Sequence, residues 1–193
     1  QLGSGSTSNS ASPKVISNSI KWRKVETNAY HSFGLKHDGT LWTWGYNRDG
    51  QLGKGNRTNY NTPTQVGTDT NWLDISTGDN HTLALRTDGS LWAWGNNANG
   101  RLGLGNQTIG IYTTPQRIGS DTDWVIICVG WYHSMAIKSD GTLWAWGRNA
   151  EGPCGNNNRL QSTSPKRVGS DTNWSKFAAG TIHSIGLKDY ATL

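Results

Sequence analysis

Residues 82–103 read Thr82-Leu83-Ala84-Leu85-Arg86-Thr87-Asp88-Gly89-Ser90-Leu91-Trp92-Ala93-Trp94-Gly95-Asn96-Asn97-Ala98-Asn99-Gly100-Arg101-Leu102-Gly103, and this stretch decides the fold. An Asp-Gly pair stands between two short β-prone segments, Thr82 to Arg86 and Leu91 to Gly95. Such a pair supplies the positive φ angles of a two-residue turn between antiparallel strands, so it marks a hairpin tip. Along Leu91-Trp92-Ala93-Trp94, strand alternation sends one set of side chains to each face. Aromatic residues are expected on both faces, as in a strand packed between two neighbours. The loop Asn97 to Gly103 follows, and its glycines allow backbone shapes closed to other residues.

The same reading returns along the chain. Asp38-Gly39 and Asp140-Gly141 repeat the hairpin, and the segments from Asn47 to Gly53 and from Asn149 to Gly155 repeat the loop. Trp22, Trp72, Trp124 and Trp174 are spaced by 50, 52 and 50 residues, with His31, His81, His133 and His183 each nine positions later. Pro13, Pro63, Pro115 and Pro165 precede each Trp by nine. Proline cannot donate to a ladder, so these positions belong in a connection or at a sheet edge. A fixed period of this length marks a tandem repeat. Laying Gln51 over Gln1 starts the units at residues 1, 51, 101 and 153 of a single repeat domain spanning 1–193. The two extra residues of the longer unit fall between Gly105 and Pro115, so Asn106 to Tyr112 is expected to be loop.

Composition agrees with short strands and tight turns. Only 33% of the 193 residues are hydrophobic, and 25 Gly and 11 Trp replace the usual Leu and Ala, which points to an all-β protein. No stretch approaches the roughly 20 apolar residues of a membrane span, so no membrane partner is expected. Gln1-Leu2-Gly3-Ser4-Gly5 has neither the basic nor the apolar region of a secretory leader. The absence of an initiating Met fits a mature product, a fragment or an ordered part of something longer. The net charge of +5 is scattered singly, Lys21, Arg23 and Lys24 being the densest cluster; nucleic-acid proteins concentrate such charge, so a nucleic-acid partner is not expected. Cys128 and Cys154 are too few for a disulfide framework or a zinc site.

The unit Trp-x-x-x-x-x-Gly-x-x-His-Ser/Thr-x-x-Leu, followed by Asp-Gly-x-Leu-Trp-x-Trp-Gly-x-Asn-x-x-Gly-x-Leu-Gly, resembles the repeat of the regulator of chromosome condensation. The resemblance covers nearly the whole chain. It implies a β-propeller of four-stranded blades of roughly 50 residues, commonly seven to a ring; about four tandem blades are expected here. Leu193 aligns with Leu41, so the last unit is nine residues and one strand short, and Tyr190-Ala191 stands where Asp38-Gly39 does. Blades bury their faces only against one another. The array is therefore expected to be part of a larger ring or to be completed by oligomerisation.

No catalytic constellation emerges. The four histidines lie in different units, and a residue present once per blade serves the blade, so a structural hydrogen-bonding role is expected and no metal or cofactor. Asp38, Asp88 and Asp140 occupy hairpin tips, where Asp suits turn geometry. Neither a nucleophile elbow nor a phosphate loop is present. The chain is expected not to be an enzyme.

Ten of the 11 tryptophans recur at repeat positions and are explained by packing. Trp131 does not. It lies at a pair of positions before each His that varies while its surroundings repeat: Ala29 and Tyr30, Asp79 and Asn80, Trp131 and Tyr132, Thr181 and Ile182. In repeat proteins such variation is where a binding surface is written, and Tyr and Trp favour interfaces. Tyr30, Asp79, Asn80, Trp131, Tyr132, Thr181 and Ile182 are accordingly the candidate partner-binding residues. A protein partner is the leading expectation, with a glycan on Trp131 and Tyr132 or a self-assembling structural subunit as alternatives. Family members that sense ultraviolet light place Trp in this position in successive blades, and those acting as GTPase exchange factors carry a protruding insertion. This chain matches neither. Its Trp- and Asn-rich style is closer to secreted bacterial relatives, some of them enzyme inhibitors, which implies an extracellular or cell-surface setting.

Overall fold

The structure is a computed structural model that describes residues 2–16, 20–105 and 109–189. Asn106, Gln107 and Thr108 of the expected loop, and Tyr190, Ala191 and Leu193 of the drifted last turn, lie outside the described residues.

Fourteen strands form among the described residues. The first blade comprises β1 (Trp22–Thr27), β2 (His31–Lys36), β3 (Leu41–Gly45) and β4 (Tyr60–Gln65). The second has β5 (Trp72–Thr77), β6 (His81–Arg86), β7 (Leu91–Asn96) and β8 (Ile111–Arg117). The third has β9 (Trp124–Val129), β10 (His133–Lys138), β11 (Leu143–Gly147) and β12 (Ser162–Arg167). The fourth contributes β13 (Trp174–Ala179) and β14 (Ser184–Lys188). Each sheet is an antiparallel meander in chain order. Pro63, Pro115 and Pro165 lie in the outermost strands β4, β8 and β12, as their missing N–H requires. Ile111 and Tyr112, read from sequence as loop, instead begin β8, because Asn96 and Ile111 extend the ladder by one pair.

The sequence period and the blade are out of phase. Units starting at 1, 51, 101 and 153 begin inside the loop before the outermost strand, whereas blades begin at Trp22, Trp72, Trp124 and Trp174. Residues 2–5 show the consequence: they do for blade 1 what the β3–β4 loop does for blade 2. A Cβ on Gly3 would lie 2.8 Å from Trp44 Nε1, as one on Gly53 would from Trp94 Nε1. Gly5 N donates to Asn61 O at 2.9 Å, as Gly55 N does to Thr113 O at 2.7 Å.

The core lies between blades. Phe33, Leu35, Leu41 and Val66 of blade 1 pack on Trp72, Ile75, Ala84 and Trp94 of blade 2. Leu83, Leu85, Leu91 and Ile118 meet Trp124, Ile127, Ala136 and Trp146 in the same manner. Met135, Ile137, Leu143 and Val168 then meet Trp174 and Phe177. The expectation of aromatic residues on both faces of Leu-Trp-x-Trp is corrected here. Trp92 and Trp94 both face blade 1, while Leu91 and Ala93 face blade 3, because a period of two puts alternate residues together.

The Asp-Gly hairpins also differ in detail. Gly39 has φ +77° but Asp38 is not in the left-handed region, and the loop is closed by Lys36 N to Thr40 O at 3.0 Å and Gly39 N to Lys36 O at 3.1 Å. Asp is chosen for its carboxylate. Asp38 Oδ1 accepts from Thr40 N at 2.9 Å and Thr40 Oγ1 at 2.6 Å, and Thr40 Oγ1 accepts from Trp42 Nε1 at 2.9 Å. Ser90 and Thr142 relay Trp92 and Trp144 to Asp88 and Asp140 identically. No helix among the described residues is long and apolar enough to cross a membrane.

Candidate functional site

In each of the first three blades two loops emerge at the end opposite the Asp-Gly hairpins, and in the fourth the β13–β14 loop does so. Tyr46 N donates to Tyr30 O at 2.9 Å, Asn96 N to Asn80 O at 2.9 Å and Arg148 N to Tyr132 O at 3.0 Å. The loop from the first to the second strand is thereby held beside the loop from the third to the fourth. Successive blades are stitched at this level, Asn28 Nδ2 donating to Thr77 O at 2.9 Å and Trp131 N to Gly180 O at 3.3 Å. All seven candidate residues therefore lie at one end of the array, in chain order. They do not converge on one pocket.

Their surroundings differ. Tyr30 is 54% exposed and its ring centroid is 6.0 Å from that of Tyr46. Asp79 and Asn80 are half-buried, with Asn80 Nδ2 donating to Asp79 Oδ2 at 2.9 Å. Trp131 is 41% exposed and meets half-buried Tyr132 edge-on, at 6.3 Å between centroids and 77° between planes. Thr181 is half-buried and Ile182 exposed.

Residues missed by the sequence reading flank Tyr132. The Arg101 and Arg148 guanidinium carbons lie 5.3 and 5.4 Å from the Tyr132 ring centroid, within the range of cation–π attraction. Arg101 is buried, its Nε donating to Ala98 O at 2.8 Å and its Nη1 to Trp131 O at 3.3 Å. Burial lowers its pKa, against the pull of Tyr132, Asp49 and Asp79. Arg148 bonds Glu151 through Nε at 3.1 Å and through Nη2. A signal existed: the position after Leu-Trp-x-Trp-Gly also varies, as Tyr46, Asn96 and Arg148, and Arg101 stands where Gln51 does.

Beneath these loops His81 and His133 bond to the next blade, whereas neither ring nitrogen of buried His31 has a hydrogen-bond partner among the described residues. Ser134 Oγ donates to Arg101 O at 2.8 Å, so it accepts from His81 Nε2–H at 3.0 Å. His133 Nε2 and Ser184 Oγ are 2.8 Å apart. Burial holds the His31 and His133 imidazoles down at about 4 and pushes His81 well below its usual value. All three are held neutral under the loop face, and His81 and His133 serve there as struts between blades. The recurrent carboxylates Asp38, Asp88 and Asp140 stand at the other end.

These features define a repeat propeller whose variable loops are displayed on a uniform framework. Family models of the regulator of chromosome condensation (RCC1) repeat match residues 38–85, 88–137 and 140–187, and a second model of that repeat matches 22–51, 72–101 and 124–152. The chain belongs to this repeat family. Comparison with curated protein sequences gives no match. Among solved structures, Prp20p from Saccharomyces cerevisiae, described with its binding to Gsp1p and histones, superposes with a TM-score of 0.77 at 19% identity over 88% of this chain and 44% of that one. Human WBSCR16 gives 0.58 at 18% identity over 98% of this chain and 65% of that one. The ectodomain of the Physcomitrella patens receptor kinase CR4 gives 0.57 at 19% identity over 89% and 40%. The chain thus spans less than half the length of the Prp20p it resembles. The likeness is one of fold.

Proposed function

We propose that this chain is a non-catalytic protein-interaction scaffold that receives its partner on the end carrying Tyr30, Asp79, Asn80, Trp131, Tyr132, Thr181 and Ile182. The observation that carries this reading is Trp131: a 41% exposed indole next to a tyrosine flanked by two guanidinium groups, at a position the framework does not use. Aromatic and arginine side chains are the usual anchors of protein interfaces. The binding of Prp20p to proteins supports a protein partner rather than a small substrate. The loops need not move to present these residues, since backbone hydrogen bonds to neighbouring loops fix them.

Alanine replacement of Tyr30, Asp79, Asn80, Trp131 and Tyr132, assayed against a captured protein partner, tests the assignment. Trp131→Ala and Tyr132→Ala are expected to weaken binding at least about tenfold. Unchanged affinity across all five variants rejects this surface. Binding to a glycan array that disappears with Trp131→Ala would replace the protein reading with a lectin-like one.

A further inference from the structure

The two ends of the array differ in charge. The loops at the end that displays Trp131 carry Arg48, Arg57, Arg101, Arg148 and Arg159, against the carboxylates Asp49, Asp79 and Glu151. Lys54 also lies in these loops but turns away, its Nζ donating to Gln65 O at the far end of β4. Carboxylates gather at the opposite end, on the hairpin tips Asp38, Asp88 and Asp140 and in the links between blades at Asp69, Asp121 and Asp171. Tip and link are held together there, Trp72 N donating to Gly39 O at 3.1 Å and Trp124 N to Gly89 O at 3.3 Å. The loop end is therefore the one suited to an acidic visitor.

The chain itself makes little use of these arginines. Asp49 Oδ1 accepts from Asn96 Nδ2 at 3.1 Å and Asp79 Oδ2 from Asn80 Nδ2 at 2.9 Å, amide partners rather than cations. Arg48, Arg57 and Arg159 are exposed, and among the described residues Arg148 with Glu151 is the one ion pair these loops form. In that pair Nε and Nη2 of Arg148 reach the two carboxylate oxygens of Glu151, the bidentate match of a guanidinium fork to a carboxylate. Both side chains stay partly exposed, at 38% and 33%, so another carboxylate can reach the fork. Arg148 first, and Arg159 with it, hold the Glu151 carboxyl below its ordinary value, which sets two cations around one acid. Arg148 also borders a cleft of about 290 Å³ between the β7–β8 and β11–β12 loops, with Asn99, Arg159 and Leu160 among its other walls. Its guanidinium thus connects that cleft to Tyr132 and, beside it, Trp131.

We propose that the partner received on this face presents an acidic protein segment, one carboxylate of which displaces Glu151 from the Arg148 fork and is shared with Arg159 in the cleft. The proposal rests on the loop-face reading above and names the chemistry of its partner. Glu151 is then an internal competitor, which must be exchanged for the incoming group. That exchange trades one partly exposed ion pair for another, so it contributes selectivity for carboxylates more than raw affinity. The Trp131 and Tyr132 rings supply the apolar contact. A nucleic acid is a poorer fit. This end holds three carboxylates beside its five arginines, one of them on Arg148 itself, whereas nucleic-acid sites concentrate positive charge.

The test titrates the whole chain into fluorescein-labelled octaglutamate at low ionic strength and follows fluorescence anisotropy. Saturable binding is expected. Arg148→Gln should weaken it about tenfold, and Glu151→Gln should strengthen it about threefold. In the Arg148→Gln background Glu151→Gln should lose that gain, since the fork it would release is gone. A gain that persists there would mean that Glu151 acts through overall charge alone, and would overturn the exchange. No saturable binding, no gain from Glu151→Gln, or tighter binding of an eight-nucleotide thymidine strand would overturn the proposal as well. The captured partner separates this proposal from the reading beneath it. If Trp131→Ala weakens that partner while Arg148→Gln and Glu151→Gln leave it unchanged, the surface stands and its acidic occupant does not.

Discussion

Leu85 and Leu187 occupy one position of the repeat and live in different worlds. Leu85 is fully buried between blades 2 and 3, whereas Leu187 is 59% exposed on blade 4. The same contrast separates Ile75, with no exposed surface, from Val25, 61% exposed on blade 1. Strand position is matched within each pair, so the difference comes from the neighbouring blade, the following one for Leu85 and the preceding one for Ile75. Stability in this molecule belongs to interfaces rather than to blades, as expected for a solenoid-like stack.

Deleting an interface anchor should give the largest effect. Trp146 has no exposed surface and joins blades 2 and 3 through both packing and its bond to Arg101 O. Trp146→Ala is expected to cost about 3–5 kcal/mol in denaturant unfolding, and Leu85→Ala about 2–5 kcal/mol. If either costs no more than a surface substitution, the account of stability by interfaces is wrong.

Acid should attack the same interfaces next. His133 falls from an ordinary 6.5 to about 4 on folding because burial penalises its charge. The unfolded chain therefore binds more protons between those values. The stabilisation is complete above pH 6.5 and is lost as pH falls toward 4, by about 3 kcal/mol for this residue. Comparing wild type with His133→Asn across that range isolates the term: the two should converge as pH drops. Parallel pH profiles would show that His133 is not held neutral.

The hairpins touch the next blade through backbone, Gly141 O accepting from Trp174 N at 3.2 Å, but the side-chain relay they carry buries little apolar surface and should matter less. Thr142 Oγ1 links Trp144 Nε1 to Asp140 Oδ1, and the hydroxyl is what chiefly lowers the Asp140 pKa. Thr142→Val is expected to cost about 1 kcal/mol and to move the Asp140 carboxyl upward in an NMR titration. An unmoved Asp140 would contradict the relay.

These contrasts also explain what the sequence could and could not disclose. The blade was legible because three interfaces impose one pattern on Trp72, His81, Leu91 and Trp94 and their counterparts. The loop face was legible as variation against that pattern, at Tyr30, Asp79, Asn80, Trp131 and Tyr132. Arg101 and Arg148 were not, because Arg101 reaches Tyr132 across the junction of blades 2 and 3 and Arg148 reaches it from the neighbouring loop of the same blade, contacts that only folding creates. The phase of the blade escaped for a related reason. A repeat has no preferred starting residue until hydrogen bonding shows that Tyr60 to Gln65 closes the sheet begun by Trp22. The Asp-Gly turn was misread in geometry because a carboxylate that caps Thr40 serves a hairpin as well as a positive φ does.

The smallest predicted effect is the most informative about the ends. Leu187→Ala removes the same atoms as Leu85→Ala, but from a side chain that is 59% exposed, so in residues 1–193 it should change stability by less than about 0.5 kcal/mol. A substantial cost for Leu187→Ala in the isolated chain would mean that this face is already covered in solution. A second copy stacked through Ile185 and Leu187 would be the natural cause, and the cost should then fall on dilution.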